Sequence, residues 1–465
     1  MASLSLLQHY LDYLSSPAVL LTILILVGPF ALERFKNRAL RSDSAIGIKL
    51  QGCFRLGISK RSNLDDQYDR TSRNGSTSSK AKIKALFTFP IKSCKGVELS
   101  ASEVGPTGLK YDRLFTFAQL LSKPDKSKIA TDAGGVQEVS GDWQHEWQFM
   151  TQRDFPRLAL METQLWVPDP KKQSTKKGHD LPNEEANDAS WSANGGCLII
   201  RFAFEPDFNP FGLRTDYVTI SLPLNPSPAR GASKKYAYET LSIWKDHPVA
   251  VNMTNEIPPK DLAKLKYFLG VSNPLALFRV DEGNKRAVTR CLPKGRVGET
   301  YSVGFADAFP VHMLNVASVR AVDDELPAKA AVKDKLDARR FRSNIYLSGP
   351  PAYAEDSWKK VLIGRCVQRV THDNSTRMVE TDGEYHVACR TARCKLPNTH
   401  PDTGIQDRNE PYTTLGKTRK VDKGAYPHPC LGMQVIPLFE QGILRVGDEV
   451  EVLETGEHFY EKMFT

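Results

Sequence analysis

The segment Arg393–Gly404, RCKLPNTHPDTG, sets a cysteine between two cations, Arg393 and Lys395. Neighbouring positive charge stabilises a thiolate, so Cys394 is a candidate nucleophile or soft-metal ligand. Arg393 can grip an anion through its planar fork of donors. The closing PDTG is a turn in which the Asp402 carboxylate can accept from local backbone amides. A proton-donor role for Asp402 is the rarer alternative. Taken alone, these residues also describe a structural cysteine in a basic loop, which is the commoner case. A second stretch, His428–Pro429–Cys430, joins two soft-metal donors, and its everyday counterpart is a loop with a buried thiol.

Other chemistries lack their local signatures. The chain contains no GxGxxG, P-loop, HExxH or GxSxG motif. Its 10 His form no metal-spaced cluster with Cys. Eight Cys in 465 residues, with no CxxC pair, are too sparse for a disulfide scaffold and read as reduced thiols.

The elements that must carry Cys394 are short and β-prone. KIKALFTFP (82–90), LFTFAQL (114–120), LALMETQLWV (158–167) and CLIIRFAF (197–204) are separated by turn signals. NIYLSG, GMQVIPLF and DEVEVLE continue the pattern between residues 306 and 460. PPKDLAKLKYFLG (258–270) places Leu262, Leu265, Phe268 and Leu269 at helical spacing and ends on Gly, which predicts a short helix. Residues 168–196 have no hydrophobic period and read as a long polar loop. The chain is therefore expected to be mainly β (α+β), a β-rich body in two parts.

Composition bounds the rest. A mean hydropathy of −0.39 excludes a polytopic membrane protein, and 21 Phe, 15 Tyr and 6 Trp exclude a wholly disordered chain. The formal charge of +9 invites a polyanionic partner, but its location matters. Residues 33–82 carry 12 basic and 5 acidic side chains, whereas residues 83–465 carry 51 and 48. The excess lies in a Ser/Asn/Gly-containing stretch with few aromatics for base stacking, so no nucleic-acid partner is expected. That stretch reads as a disordered, basic tether able to touch anionic lipid.

It follows an uncharged run of 20 residues, Tyr13–Leu32. Such a run spans about 30 Å as a helix, one hydrocarbon core. Positive charge follows it, at Arg34, Lys36, Arg38 and Arg41, rather than preceding it. The expectation is a single-pass signal anchor with the C-terminal body in the cytosol.

Four segments resemble one family. RFRSNIYLSGPPAYAEDSWKKVLIG (340–364), RCKLPNTHPDTG, HPCLGMQ (428–434) and GILRVGDEVEVLE (442–454) are similar to the MOSC domain, named for the C-terminal part of molybdenum cofactor sulfurases. FPIKSCKGVELSASEVGPTGLKYDRLFTFA (89–118) resembles the β-barrel domain that precedes MOSC in the mitochondrial amidoxime-reducing components. The resemblance covers nearly all of residues 82–460. It implies an N-terminal β-barrel-like domain (82–280) and a C-terminal MOSC β-barrel (281–465), after a single N-terminal transmembrane helix (1–32) and the linker (33–81). It also implies attachment to the outer mitochondrial membrane.

The same resemblance implies a molybdenum cofactor, a phosphorylated Mo-pyranopterin, with Cys394 as the protein's metal ligand and catalytic residue. The family's cofactor-contacting positions fall on Lys92, Ser93, Arg113, Arg342, Asn344 and Arg393. The implied activity is reduction of an N-hydroxylated small molecule, with electrons from cytochrome b5 and NADH-cytochrome b5 reductase. The alternative is a carrier of molybdenum cofactor or sulfur. A sulfurase role, the family's association with pyridoxal phosphate, would need a desulfurase domain for which the residues before 82 leave no room. Four departures stand out. Ala392 replaces a Ser beside the ligand, Ala308 and Phe309 replace a Thr-Ser pair that contacts cofactor in relatives, the polar stretch 371–386 is long, and residues 168–196 are an extra insertion.

Overall fold

The structure, a computed structural model, describes residues 50, 52–59, 61–69, 80–124, 129–131, 137–139, 143–171, 190–205, 216–295, 299–372 and 375–462. It also describes Ser16–Val19, Leu21, Thr22, Ile25 and Gly28 near the N-terminus. The rest of the expected anchor, Tyr13–Leu32, lies outside the described residues, as does most of the polar loop 168–196. No helix among the described residues is long and apolar enough to cross a membrane.

The molecule is mainly β, as its short apolar runs predict. Five strands close into a small barrel: Ala237–Ser242, Val249–Asn252, Leu275–Val280, Phe115–Pro124 and Trp143–Phe149. Its interior alternates small and large residues, with Ala118, Ala250 and Ala276 set against Phe149, Leu241 and Phe278. That mixture suits the interior of a narrow barrel.

A second ring is larger. Ser375–Ala392, Cys430–Pro437, Val311–Asn315, Ile345–Ser348, Ala81–Thr88, Glu449–Thr455 and Trp358–His372 neighbour one another in that order. Ser375–Ala392 then pairs back onto Trp358–His372, which closes seven strands. The one parallel contact in the ring joins Val311–Asn315 to Ile345–Ser348. Parallel neighbours need a crossover, and here it contains the helix Val316–Glu325, N-capped by Asn315. Strands 81–88, 97–99, 101–105 and 108–109, expected in the first body, are hydrogen-bonded into this second sheet. The two bodies are thus interlocked at their N-terminal edge.

The predicted helix spans Pro259–Leu269 and buries Leu265, Phe268 and Leu269. Gly270 ends it at φ +70°, donating back to Lys266 and Tyr267 carbonyls. Within the long polar stretch 371–386, the described residues pair as strand: Thr371 and His372 in one arm and Ser375–His386 in the other of the hairpin Trp358–His372/Ser375–Ala392.

The described residues 50, 52–59 and 61–69 depart from the expected disordered linker. Cys53–Leu56 pairs with Glu162–Pro168 in a four-stranded antiparallel sheet. Leu64 is buried in the cluster that holds Phe87, Leu336 and Tyr346. Asn63 donates its backbone N–H and its amide to Glu98, at 2.8 and 3.0 Å. Gln67 accepts from the Ala338 N–H at 2.8 Å and donates to Asp337 at 3.3 Å. Average composition hid the cause: a few apolar side chains among the charges have seats on the body.

Candidate functional site

Loops from both bodies converge on one cavity of about 240 Å³. All seven residues singled out in the sequence line it: Lys92, Ser93, Arg113, Arg342, Asn344, Arg393 and Cys394. They span some 300 positions of the chain, so only the interlocked sheets bring them together. Its lining also holds Arg153 and a single carboxylate, Asp307, making five cations against one anion.

Asp112 anchors one wall. Its nearly inaccessible carboxylate accepts from the Phe89 N–H at 2.8 Å, from Asn344 Nδ2 at 3.0 Å and from Arg113 Nη1. Arg113 in turn donates to the Arg342 carbonyl at 3.1 Å. Both guanidinium groups stack on the Phe89 ring, with centroid distances of 4.4 and 4.3 Å. Ser93, Arg113 and Arg342 all have positive φ, at 69°, 46° and 52°. Three non-glycine residues in this region mark backbone bent to aim donors inward.

Asn344 belongs to the frame. Its amide reaches the Phe87 carbonyl and Asp112, while its Oδ1 accepts from the His312 N–H. Arg393 is similarly engaged, donating to the Leu431 and Phe341 carbonyls and, at 2.6 Å, to His312 Nε2. Burial first, then the charge of Arg393, holds His312 well below its ordinary pKa. The imidazole is therefore neutral, with Nε2 as acceptor and the proton on Nδ1.

Lys92 donates to the Phe305 carbonyl at 2.9 Å and forms a close ion pair with Asp307. The Asp307 carboxylate opens onto the cavity. Although burial opposes its charge, Lys92, Arg113 and Arg286 hold its pKa below the usual carboxylate range. Burial pulls the Lys92 pKa down against the pull of Asp307.

The site carries uncompensated positive charge. Burial pushes the Arg342 and Arg393 guanidinium pKa values down to about 10. Arg342 Nη2 is buried without a hydrogen-bond partner. An anion in the cavity would satisfy that donor and offset the desolvation of its neighbours. Among the described residues no group of three or more His, Cys, Asp or Glu could hold a metal ion. The half-buried Cys394 thiol is the soft donor of the cavity. A metal bound there must bring further ligands with it, so the donor set fits an anionic, already chelated metal such as a phosphorylated metallopterin.

Sequence reasoning missed Arg153, Asp307, His312, Gln434 and Tyr460 in the lining. Asp307 had a signal, since it directly precedes the Ala308–Phe309 pair that departs from relatives. Ala308, Phe309 and Tyr460 also wall a larger neighbouring groove of about 630 Å³. Asp402 is not in the cavity lining: it accepts from Arg339 and pairs with Lys95 at 3.0 Å. Cys430 is buried in its strand, and burial raises its pKa to about 12, as fits a packed thiol.

The fold and this cavity define a MOSC protein. The MOSC N-terminal beta barrel domain family matches residues 80–181, and the MOSC domain family matches residues 300–451. The chain is 30% identical to mitochondrial amidoxime reducing component 2 of Bos taurus over 376 residues, 79% of this chain and 82% of that protein. It is 34% identical to mitochondrial amidoxime-reducing component 1 of Mus musculus over 154 residues, and 31% identical to component 2 of Rattus norvegicus over 168. Those two matches cover 32% and 36% of this chain, and 38% and 43% of the relatives' own lengths. The chain belongs to the mitochondrial amidoxime-reducing component family.

Proposed function

We propose that the protein is a molybdenum cofactor-dependent reductase of N-hydroxylated small molecules. The observation that carries this reading is the single cavity in which Cys394 meets five cations and one carboxylate. Relatives named amidoxime-reducing components support the reaction class.

In this reading Cys394 would ligate molybdenum, and Lys92, Ser93, Arg113, Arg342 and Arg393 would hold the anionic pterin. When bound, the cofactor would supply the two-electron couple needed to reduce an N–OH group, which with two protons gives N–H and water. Asn344 fixes the spacing between the wall that carries Arg113 and the strand that carries His312. Neutral His312 keeps a positive charge off the strand behind Arg393 and, through Nε2, aims that guanidinium. Lys92 holds Asp307 ionised, so the carboxylate can accept from N–H donors of a bound group but is not a proton donor in the resting state. The neighbouring groove, sharing Ala308, Phe309 and Tyr460 with the cofactor cavity, would offer the substrate room.

Electrons come from cytochrome b5 and NADH-cytochrome b5 reductase. The 13–32 run tethers the body to the outer mitochondrial membrane, where shared anchoring would raise the effective concentration of all three proteins. Relatives described as mitochondrial support that location.

The test is to purify the full chain in detergent and measure molybdenum content and benzamidoxime reduction with cytochrome b5, its reductase and NADH. About one molybdenum per chain with turnover is expected. Metal without turnover points to a carrier, and a folded protein without metal overturns both readings. A fluorescent fusion of residues 1–82 checks the membrane assignment.

A further inference from the structure

A second cavity, of about 190 Å³, lies against Phe89 and is lined by Lys95, Arg339, Arg340 and Arg342, with Glu98 as its one carboxylate. Nothing in the proposed reaction uses it. Arg340 is only 4% exposed. Its Nη1 donates to the Pro397 and Asn398 carbonyls at 3.1 and 3.0 Å, while its Nε is buried with no partner. Arg342, which lines both cavities, has the second orphaned buried donor, Nη2.

The nearby carboxylates do not answer these donors. Glu98 Oε1 is taken by Asn63. Asp337 and Asp402 bind the half-buried Arg339, and Asp402 also pairs with Lys95. Four cations therefore line the cavity with one carboxylate, Glu98, and the Nε of the buried Arg340 has no acceptor. A buried arginine donor without an acceptor, in a cavity rimmed by further cations, is the arrangement that a bound oxyanion completes. The residues 61–69 supply Ser62 to the wall, which narrows the space toward a small ligand.

We propose that this second cavity binds one small tetrahedral oxyanion of the phosphate or sulfate class, held by Arg340 and Lys95, with the guanidinium of Arg342 as the charged wall it shares with the cofactor cavity. It is a second cavity beside the cofactor cavity, with Arg342 in the wall the two share.

The test is calorimetric titration of the cofactor-loaded full chain with inorganic phosphate, against chloride at matched ionic strength so that screening cancels. Saturable one-to-one binding is expected, with a phosphate-dependent rise in Tm. Lys95→Gln and Arg340→Gln are expected to weaken it at least tenfold. Lys92→Gln, which alters only the first cavity, is expected to leave it within twofold. Arg340→Gln also cuts the ties to Pro397 and Asn398 and can fail to fold; the half-exposed Lys95 gives the variant that keeps the test valid. Absence of saturable binding to the folded chain overturns the proposal. So does binding lost in Lys92→Gln but retained in Lys95→Gln. A third arm uses vesicles containing phosphatidic acid: binding to vesicles but not to inorganic phosphate would assign the site to a lipid headgroup and overturn the free-anion reading.

Discussion

Arg393 donates to His312 Nε2 across 2.6 Å, so the residue beside the candidate metal ligand is aimed by an imidazole that must stay neutral. The folded chain keeps His312 unprotonated well below 6.5, whereas the unfolded chain takes up a proton near that value. Its contribution to stability is therefore complete above pH 6.5 and is lost as the pH falls from there through the depressed folded value. The loss is about 1.4 kcal/mol per pH unit until the folded group titrates. His312→Gln retains an acceptor for Arg393 and removes the titration. Thermal melts from pH 7.5 to 5 should show a shallower acid limb for the variant. His386, His400 and His458, also lowered by burial, keep part of the limb.

Gly432 backs the same contact. It sits at φ +77°, and an added Cβ would meet His312 Nε2 at 2.7 Å and the Met313 carbonyl at 2.8 Å. Gly432→Ala should cost about 1–3 kcal/mol in urea denaturation. Gly416, helical and with open space within 4 Å of where a methyl would project, is the control. Gly416→Ala should be neutral or stabilising by up to about 1 kcal/mol.

Asn344 joins three backbone or carboxylate partners in the frame of the cavity. Asn344→Leu leaves Asp112 and the Phe87 carbonyl short of a donor and the His312 N–H short of an acceptor. A loss of about 3 kcal/mol or more is expected in chemical denaturation.

Leu64, 1% exposed, seats the 61–69 segment on the body. Leu64→Ala should cost about 2–5 kcal/mol if the whole site stays cooperative with the fold. A chain begun at residue 80 should melt below one begun at residue 50, because it also loses the Gln67 bridge to Asp337 and Ala338.

Cys394 is half-buried, so Cys394→Ala should change stability by no more than about 0.5–1 kcal/mol. Molybdenum content and benzamidoxime turnover should both be lost. Full turnover in that variant would remove Cys394 from the metal site.

Much of this protein was legible in the chain itself. Short β-prone runs announced a mainly β body, and the Leu262–Leu269 spacing with Gly270 announced its helix. Family-like motifs picked out seven residues that share one cavity. Those signals are local: side-chain periodicity and contiguous motifs survive without knowledge of neighbours.

What the chain did not disclose is long-range. Strand 81–88 belongs to the second ring because its apolar faces fit between Ile345–Ser348 and Glu449–Thr455, a pairing that no local pattern encodes. Residues 61–69 looked like part of a tether by composition, yet they fold because seats for Leu64 and Gln67 exist elsewhere on the surface. Above all, sequence placed cations and a cysteine in motifs hundreds of residues apart. Only the tertiary structure decided that Asp307 offsets one of those cations, that His312 and Asn344 consume donors and acceptors around others, and that Arg342 keeps a buried donor free for an anion. Charge is a property of residues, but its compensation is a property of distance, and distance is set by the fold.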